Sequence, residues 1–118
     1  MEKEDMNCIF CKIVKKMIPG NIIYEDKNIL AFNDINPQAP IHILVIPKEH
    51  IPAINDIESV NKDVIFDILM IIRNIAKEKN LHKSGYRVVI NSGVDAGQAV
   101  QHLHFHILGG RKFDWPPG

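Results

Sequence analysis

Three histidines in strict alternation, His102, His104 and His106, are the residues of this chain best suited to chemistry. They are interleaved with Leu103, Phe105 and Ile107. Alternation of this kind predicts a half-buried β-strand, with successive side chains on opposite faces. The apolar residues then face a core and the imidazoles form a ladder, about 6.6 Å from one to the next. Imidazole can act as nucleophile, proton shuttle or metal ligand near neutral pH. Strand formation alone does not call for it, since Thr or Val builds a better strand. A solvated polar sheet face is the bland reading, and a catalytic metal clamped by the ladder is a chemical rival.

The ladder is preceded by Asn91-Ser92-Gly93-Val94-Asp95-Ala96-Gly97-Gln98-Ala99. Glycines let main-chain N–H groups approach a ligand closely, and a run of such groups can cradle an anion. A histidine beside a bound phosphate points to attack at phosphorus. By contrast, His82 stands alone and needs no function.

Cys8 and Cys11 form a Cys-X-X-Cys pair near the N-terminus. A redox pair is expected after a strand in a βαβ unit, which is not the context here. Half a zinc site needs two further donors, for which His50 and one ladder histidine are available. Two buried free thiols are the plain alternative.

These residues need elements to position them. Ile9, Ile13 and Met17 recur at helical spacing, so Cys8 to Met17 reads as a short helix, ended by Pro19-Gly20. Ile22–Glu25 and Ile29–Asn33 read as strands around Asp26-Lys27-Asn28. Asp34 to Pro40 is a loop, and His42 to Ile46 a dense apolar strand stopped by Pro47. Val60 to Lys79 reads as the long helix, with Ser59 as N-cap. Its apolar positions span roughly 180°, wider than one sheet face requires. The surplus predicts either a deeper core or a dimer interface. Tyr86 to Asn91 is a further strand, and Ser92 to Gln101 the loop before the ladder. The order α-β-β-β-α-β-β predicts an α+β domain with a mainly antiparallel sheet and two helices.

Composition is consistent with this. The 118 residues make one ordinary domain, 46% apolar and 24% charged. Fourteen basic and fourteen acidic residues cancel, so no broad positive field is expected. Neither nucleic acid nor membrane is an expected partner. The run Met1-Glu2-Lys3-Glu4-Asp5 lacks an apolar signal core, and no apolar stretch is long enough to span a bilayer. A cytosolic location is expected, where a cysteine pair more often means metal or redox chemistry than a structural disulfide.

Taken together, the motifs resemble the histidine triad (HIT) family, in its Hint branch of nucleoside phosphoramidases. The resemblance runs from Ile9-Phe10-Cys11-Lys12-Ile13 to the end of the chain. It rests on Asp34-Ile35-Asn36-Pro37-Gln38-Ala39-Pro40-Ile41-His42, Val45-Ile46-Pro47-Lys48-Glu49-His50, Gly97-Gln98 and the triad run. The tail adds Gly109-Gly110-Arg111 and Trp115-Pro116-Pro117-Gly118. The Trp-Pro-Pro-Gly ending favours Hint over the dinucleotide hydrolases, and His106 argues against the uridylyltransferases, which carry Gln there.

The resemblance implies a HIT-like fold of five strands and two helices over residues 1–118, dimerising through a continuous sheet. It implies that His104 is the nucleophile of a nucleotidyl-histidine intermediate, and that His106 and His42 orient phosphate and manage protons. It assigns Asp34 to the ribose hydroxyls, and Asn91, Gly97, Gln98 and Ala99 to phosphate. Phe10, Ile13, Phe32 and Ile35 fall where the family lines its purine pocket. Trp115 is expected to reach toward the partner's active site. The implied activity is hydrolysis of AMP-linked amides, with aminoacyl-adenylates as a further candidate class and no cofactor needed for the chemistry. Two features depart from the animal Hint enzymes. Ala99 replaces a Ser that contacts phosphate, which bears on turnover. Cys8 and Cys11 are both present, as in many microbial relatives, which in this resemble the uridylyltransferases, where zinc is held by residues matching Cys8, Cys11, His50 and His102. Two other readings remain: a purine-nucleotide-binding or scaffold protein with little turnover, and a metal-dependent hydrolase using the ladder.

Overall fold

The computed structural model describes residues 7–118. A five-stranded antiparallel sheet, in the order β1-β2-β3-β5-β4, carries the fold. Its strands are β1 (Ile22–Glu25), β2 (Ile29–Asn33), β3 (Ile41–Pro47), β4 (Tyr86–Val89) and β5 (Phe105–Gly109). Helix α1 is Ile9–Val14, α2 is Lys62–Glu78 and α3 is Leu81–Ser84. Short 3-10 turns at Ile54–Asp56 and Ser59–Asn61 lead into α2. The α+β expectation with five strands holds, and the third helix is an addition to it.

Both sheet faces are covered, and the alternation along each central strand sorts side chains between them. Ile29, Ala31, Ile43, Val45, Leu103, Phe105 and Ile107 pack with Ile68, Ile71, Ile72, Ile75 and Ala76 of α2. Leu30, Phe32, Leu44 and Ile46 pack on the other face with Phe10, Cys11 and Ile13 of α1. Two-sided burial is why β2 and β3 read as continuous apolar runs. Ile68 is fully buried, and replacing it by Ala would cost about 2–5 kcal/mol.

Several boundaries differ from the sequence reading, each for a local reason. Helix α1 stops at Val14 because Lys16 takes a left-handed conformation (φ 62°), which leaves Met17 exposed. Cys8 caps its start, with Sγ accepting from the Cys11 N–H. Ser59 is not the cap of α2. It opens the 3-10 turn, in which the Glu58 N–H donates to Asn61 Oδ1 at 2.9 Å. Only part of the expected apolar arc is buried in the chain: Val60, which lies in the 3-10 turn before α2, and Leu69 are exposed, as is Phe66 beside the arc. Strand β4 ends at Val89 rather than Asn91.

The ladder is the main correction, because β5 begins only at Phe105. Val45 pairs with Phe105, and continuing that register would put Leu103 opposite Pro47, which has no N–H to offer. Leu103 instead donates its N–H to Ile51 O at 2.6 Å. The facing alternation persists through this segment: Leu103 still enters the α2 core.

Candidate functional site

His42 and His106 meet on the α1 face of the sheet, where alternation along β3 and β5 sends them, and Asp34, directly after β2, joins them. His106 lies opposite Leu44, so His42 is its diagonal neighbour across the strand pair. The two imidazoles touch, His42 Nε2 to His106 Nδ1 at 2.9 Å. His42 Nε2 also lies 3.4 Å from Asp34 Oδ2.

Main-chain partners determine which ring nitrogens carry protons. The Gln38 N–H donates to His42 Nδ1 at 3.0 Å, so that nitrogen is a lone pair. The proton of His42 is then on Nε2, which donates to His106 Nδ1. The proton of His106 is left on Nε2, a buried atom without a hydrogen-bond partner. His104 Nδ1 lies 2.6 Å from the His102 carbonyl oxygen, which can only accept. His104 therefore carries its proton on Nδ1 and keeps a lone pair on Nε2. The bond between His42 and His106 requires both of those rings to be neutral, and burial favours that form. It holds the His106 pKa down at about 4, aided by His104 and His42 and opposed by Asp34. It lowers His42 as well, against the pull of Asp34.

These groups open on a cavity of about 560 Å³, large enough for a nucleotide-sized ligand. Phe10, Ile13, Phe32, Leu44 and Val100 give it apolar walls, while Asp34, His42, His104 and His106 are grouped as its polar lining. Phe10 and Phe32 meet edge to face with centroids 5.4 Å apart, and Phe10 meets His104 likewise at 5.1 Å. Ile35 stands on the rim, 97% exposed. Gly97 and Ala99 contribute from the loop before β5.

Asn91 and Gln98 do not line this cavity. Gln98 turns inward and holds the loop together. Its Oε1 accepts from the Gly93 N–H at 2.9 Å, and Nε2 donates to Pro52 O and Val100 O at 2.7 and 3.0 Å. The N–H groups of Gly97 and Gln98 are engaged in turn bonds to Val94 O and Gly93 O. The expected run of ligand-facing amides is thus narrower than the glycine spacing suggests.

The cavity also uses residues that were not singled out from sequence. Leu44 shares a face with His42, and alternation along β3 could have found it. Gly20 passes tightly against α1, where a Cβ would lie 3.0 Å from Ile13 Cγ2. The Gln38 contact to His42 is made by a main-chain N–H, for which residue type carries no signal.

His102 parts from its neighbours and joins a second cluster. Its Nε2 donates to Pro47 O at 2.8 Å, so Nδ1 presents a lone pair. That atom lies 3.4 Å from Cys8 Sγ, 3.6 Å from Cys11 Sγ and 3.2 Å from His50 Nδ1. Cys11 Sγ is 3.4 Å from His50 Nδ1. The four ligand atoms all lie within 4.8 Å of one another, and neither thiol is in a disulfide. Tetrahedral zinc with usual bond lengths has edges of about 3.5 Å for S–N and about 3.3 Å for N–N, so the donor set fits. Burial keeps the His102 pKa down at about 4, against its bond to Pro47. The ladder therefore does not converge on one metal: His102 serves this cluster, while His104 and His106 face the cavity.

Residues 7–113 match the family described as scavenger mRNA decapping enzyme C-term binding. A 14 kDa zinc-binding protein of Zea mays is 46% identical over 117 residues, 98% of this chain and 91% of that protein. Among solved structures, a HIT family hydrolase from Legionella pneumophila Philadelphia 1 superposes with a TM-score of 0.93 at 49% identity. The match covers 95% of this chain and 100% of that one. A histidine triad protein from Clostridium difficile gives 0.90 at 50% identity, covering 94% and 96%.

Proposed function

From the premise that this chain belongs to the histidine triad (HIT) family, we propose that it hydrolyses nucleoside phosphoramidates, with AMP-linked amides as substrates and aminoacyl-adenylates as a further class. The observation that carries this reading is the 2.6 Å bond from His104 Nδ1 to the His102 carbonyl, which keeps the His104 Nε2 lone pair available beside the cavity.

The reaction proceeds in two displacements. With an AMP-linked amide, His104 Nε2 attacks phosphorus, the P–N bond to the amine breaks, and its electron pair leaves with the amine; with an aminoacyl-adenylate the bond broken is P–O and the pair leaves with the carboxylate. The unpartnered Nε2–H of His106 supplies the proton that the leaving nitrogen needs. His42, donating to His106 Nδ1, holds that ring in the donor tautomer. Water then attacks phosphorus and gives its proton back to His106 Nε2, the bond to His104 breaks with its electron pair returning to His104 Nε2, and AMP is released. Asp34 binds the ribose hydroxyls, Phe10, Ile13, Phe32 and Ile35 pack the purine, and Gly97 and Ala99 border the phosphate end on the loop that Gln98 braces.

Cys8, Cys11, His50 and His102 would hold structural zinc, which ties the start of α1 to the segment entering β5. A closed set of four protein ligands has no open position for water, so the metal stabilises the site. A reduced cysteine pair suits the cytosol, where we place the protein. We also propose a homodimer, supported by exposed Phe66 and Leu69 on α2 and by β4 as an edge strand with exposed Val88. Trp115, 83% exposed, is then available to the partner's site.

Ala99 favours a second reading, a purine-nucleotide-binding protein of slow turnover, because it offers the phosphate end no hydroxyl. One experiment separates the two. Wild type should release amine from an AMP-amide, and His104→Ala should not, while both bind AMP. No amine release from wild type at high enzyme concentration would leave the binding reading standing.

A further inference from the structure

The Gly109-Gly110-Arg111 run has no part in the chemistry above, yet it lies against the active-site loop. Gly109 packs against α3 and Gly110 against the loop. A Cβ on Gly109 would lie 2.7 Å from Leu81 Cδ1. Gly110 has φ +89°, and a Cβ there would lie 2.9 Å from Pro40 Cβ. The chain leaving β5 is therefore laid directly across the end of the loop that runs from Asp34 to Pro40.

Arg111 makes the second contact. Its Nε donates to the Gln38 carbonyl at 3.1 Å. The guanidinium sits 4.2 Å over the Phe113 ring, which Arg87 also approaches at 5.1 Å, with Arg87 Nη2 donating to Asp114 O at 2.8 Å. Such stacking limits the freedom of the guanidinium and orients its donors. Gln38 is thus held at both main-chain groups, its carbonyl by Arg111 and its N–H by His42 Nδ1.

We propose that Arg111 is a positioning residue: with Gly110 it straps the Asp34–Pro40 loop so that the Gln38 N–H keeps His42 in the tautomer that donates to His106. Asp34, at the start of the same loop, lies 3.4 Å from His42 Nε2 and favours the same tautomer, so release of the loop weakens both influences together. Arg111 touches neither substrate nor the reacting atoms in this scheme. Its catalytic consequence rests on the phosphoramidase reading; its effect on the His42 ring does not.

The test is long-range 1H–15N NMR of histidine-labelled protein, read beside kcat and KM for an AMP-amide. Wild type should show His42 protonated at Nε2 only. Arg111→Ala should give mixed tautomers and lower kcat about tenfold with little change in KM, a modest share of what general acid–base groups contribute. Arg111→Lys, which can still donate to the Gln38 carbonyl, should restore the single tautomer. Phe113→Leu, which removes the ring beneath the guanidinium, should give a smaller shift in the same direction and serves if Arg111→Ala does not fold. A single Nε2–H tautomer in Arg111→Ala, or in Phe113→Leu where only that variant folds, overturns the proposal. A mixture that Arg111→Lys fails to restore also overturns it. Absence of turnover in wild type would sink the phosphoramidase reading alone, with the tautomer comparison still deciding this one.

Discussion

The main-chain oxygen of His102 accepts from Nδ1 of His104 at 2.6 Å, while the ring of the same His102 faces Cys8 and Cys11. One residue therefore joins the cysteine cluster to the tautomer of the neighbouring imidazole. Its side chain belongs to one site and its carbonyl to the other.

His104→Ala should reduce turnover of an AMP-amide to background while AMP affinity stays within a few-fold of wild type. A nucleotide adduct trapped during turnover should map to His104. An adduct on His106 would reassign the nucleophile.

Acidification should destabilise the fold through its buried histidines. An unfolded imidazole binds its proton near pH 6.5, but folded His106 does so only at about 4. Between these values the unfolded chain holds more protons, so stability rises with pH across the window. It is complete above the upper value and lost as pH falls toward the lower one, with His42 acting in the same direction. Urea midpoints measured from pH 7 to 4.5 should fall, and fall less steeply in His106→Gln. Equal slopes in the two proteins would refute the assignment.

Zinc should copurify at one ion per chain and be released on acidification, because its thiolate and imidazole ligands must be deprotonated. A metal-sensitive dye separates this loss from histidine protonation. Cys11→Ser should lower Tm more than it lowers activity at low temperature. Metal-free protein with two readily alkylated thiols would remove support for the site.

Ala99→Ser should raise kcat by about fivefold, the effect of roughly one added hydrogen bond of about 1 kcal/mol on the transferring phosphoryl group. An unchanged kcat would mean that this hydroxyl has no part here.

Light scattering at micromolar concentration should give twice the chain mass. Phe66→Glu with Leu69→Glu should shift it to monomer, since two charges would then face the apolar patch. A wild-type monomer would contradict the dimer.

Much of the site was legible in the order of residue types. Alternation along 102–107 predicted which side chains enter the core and which oppose it, and Leu103, Phe105 and Ile107 are buried accordingly. The types at Cys8, Cys11, His50 and His102 carried metal chemistry in their donor atoms. Periodicity reports faces because side-chain direction follows from backbone geometry alone. It does not report which main-chain group meets which. Pro47 opposite Leu103, the Gln38 N–H on His42 and the inward turn of Gln98 were decided only when distant segments packed. The division of the histidine run, His102 to the cysteines and His104 with His106 to the cavity, was implied by the family resemblance, whereas alternation alone placed all three on one face. Every non-proline residue carries the same N–H and C=O, so a partner chosen through those groups leaves no mark on residue type. Tertiary packing alone selects it.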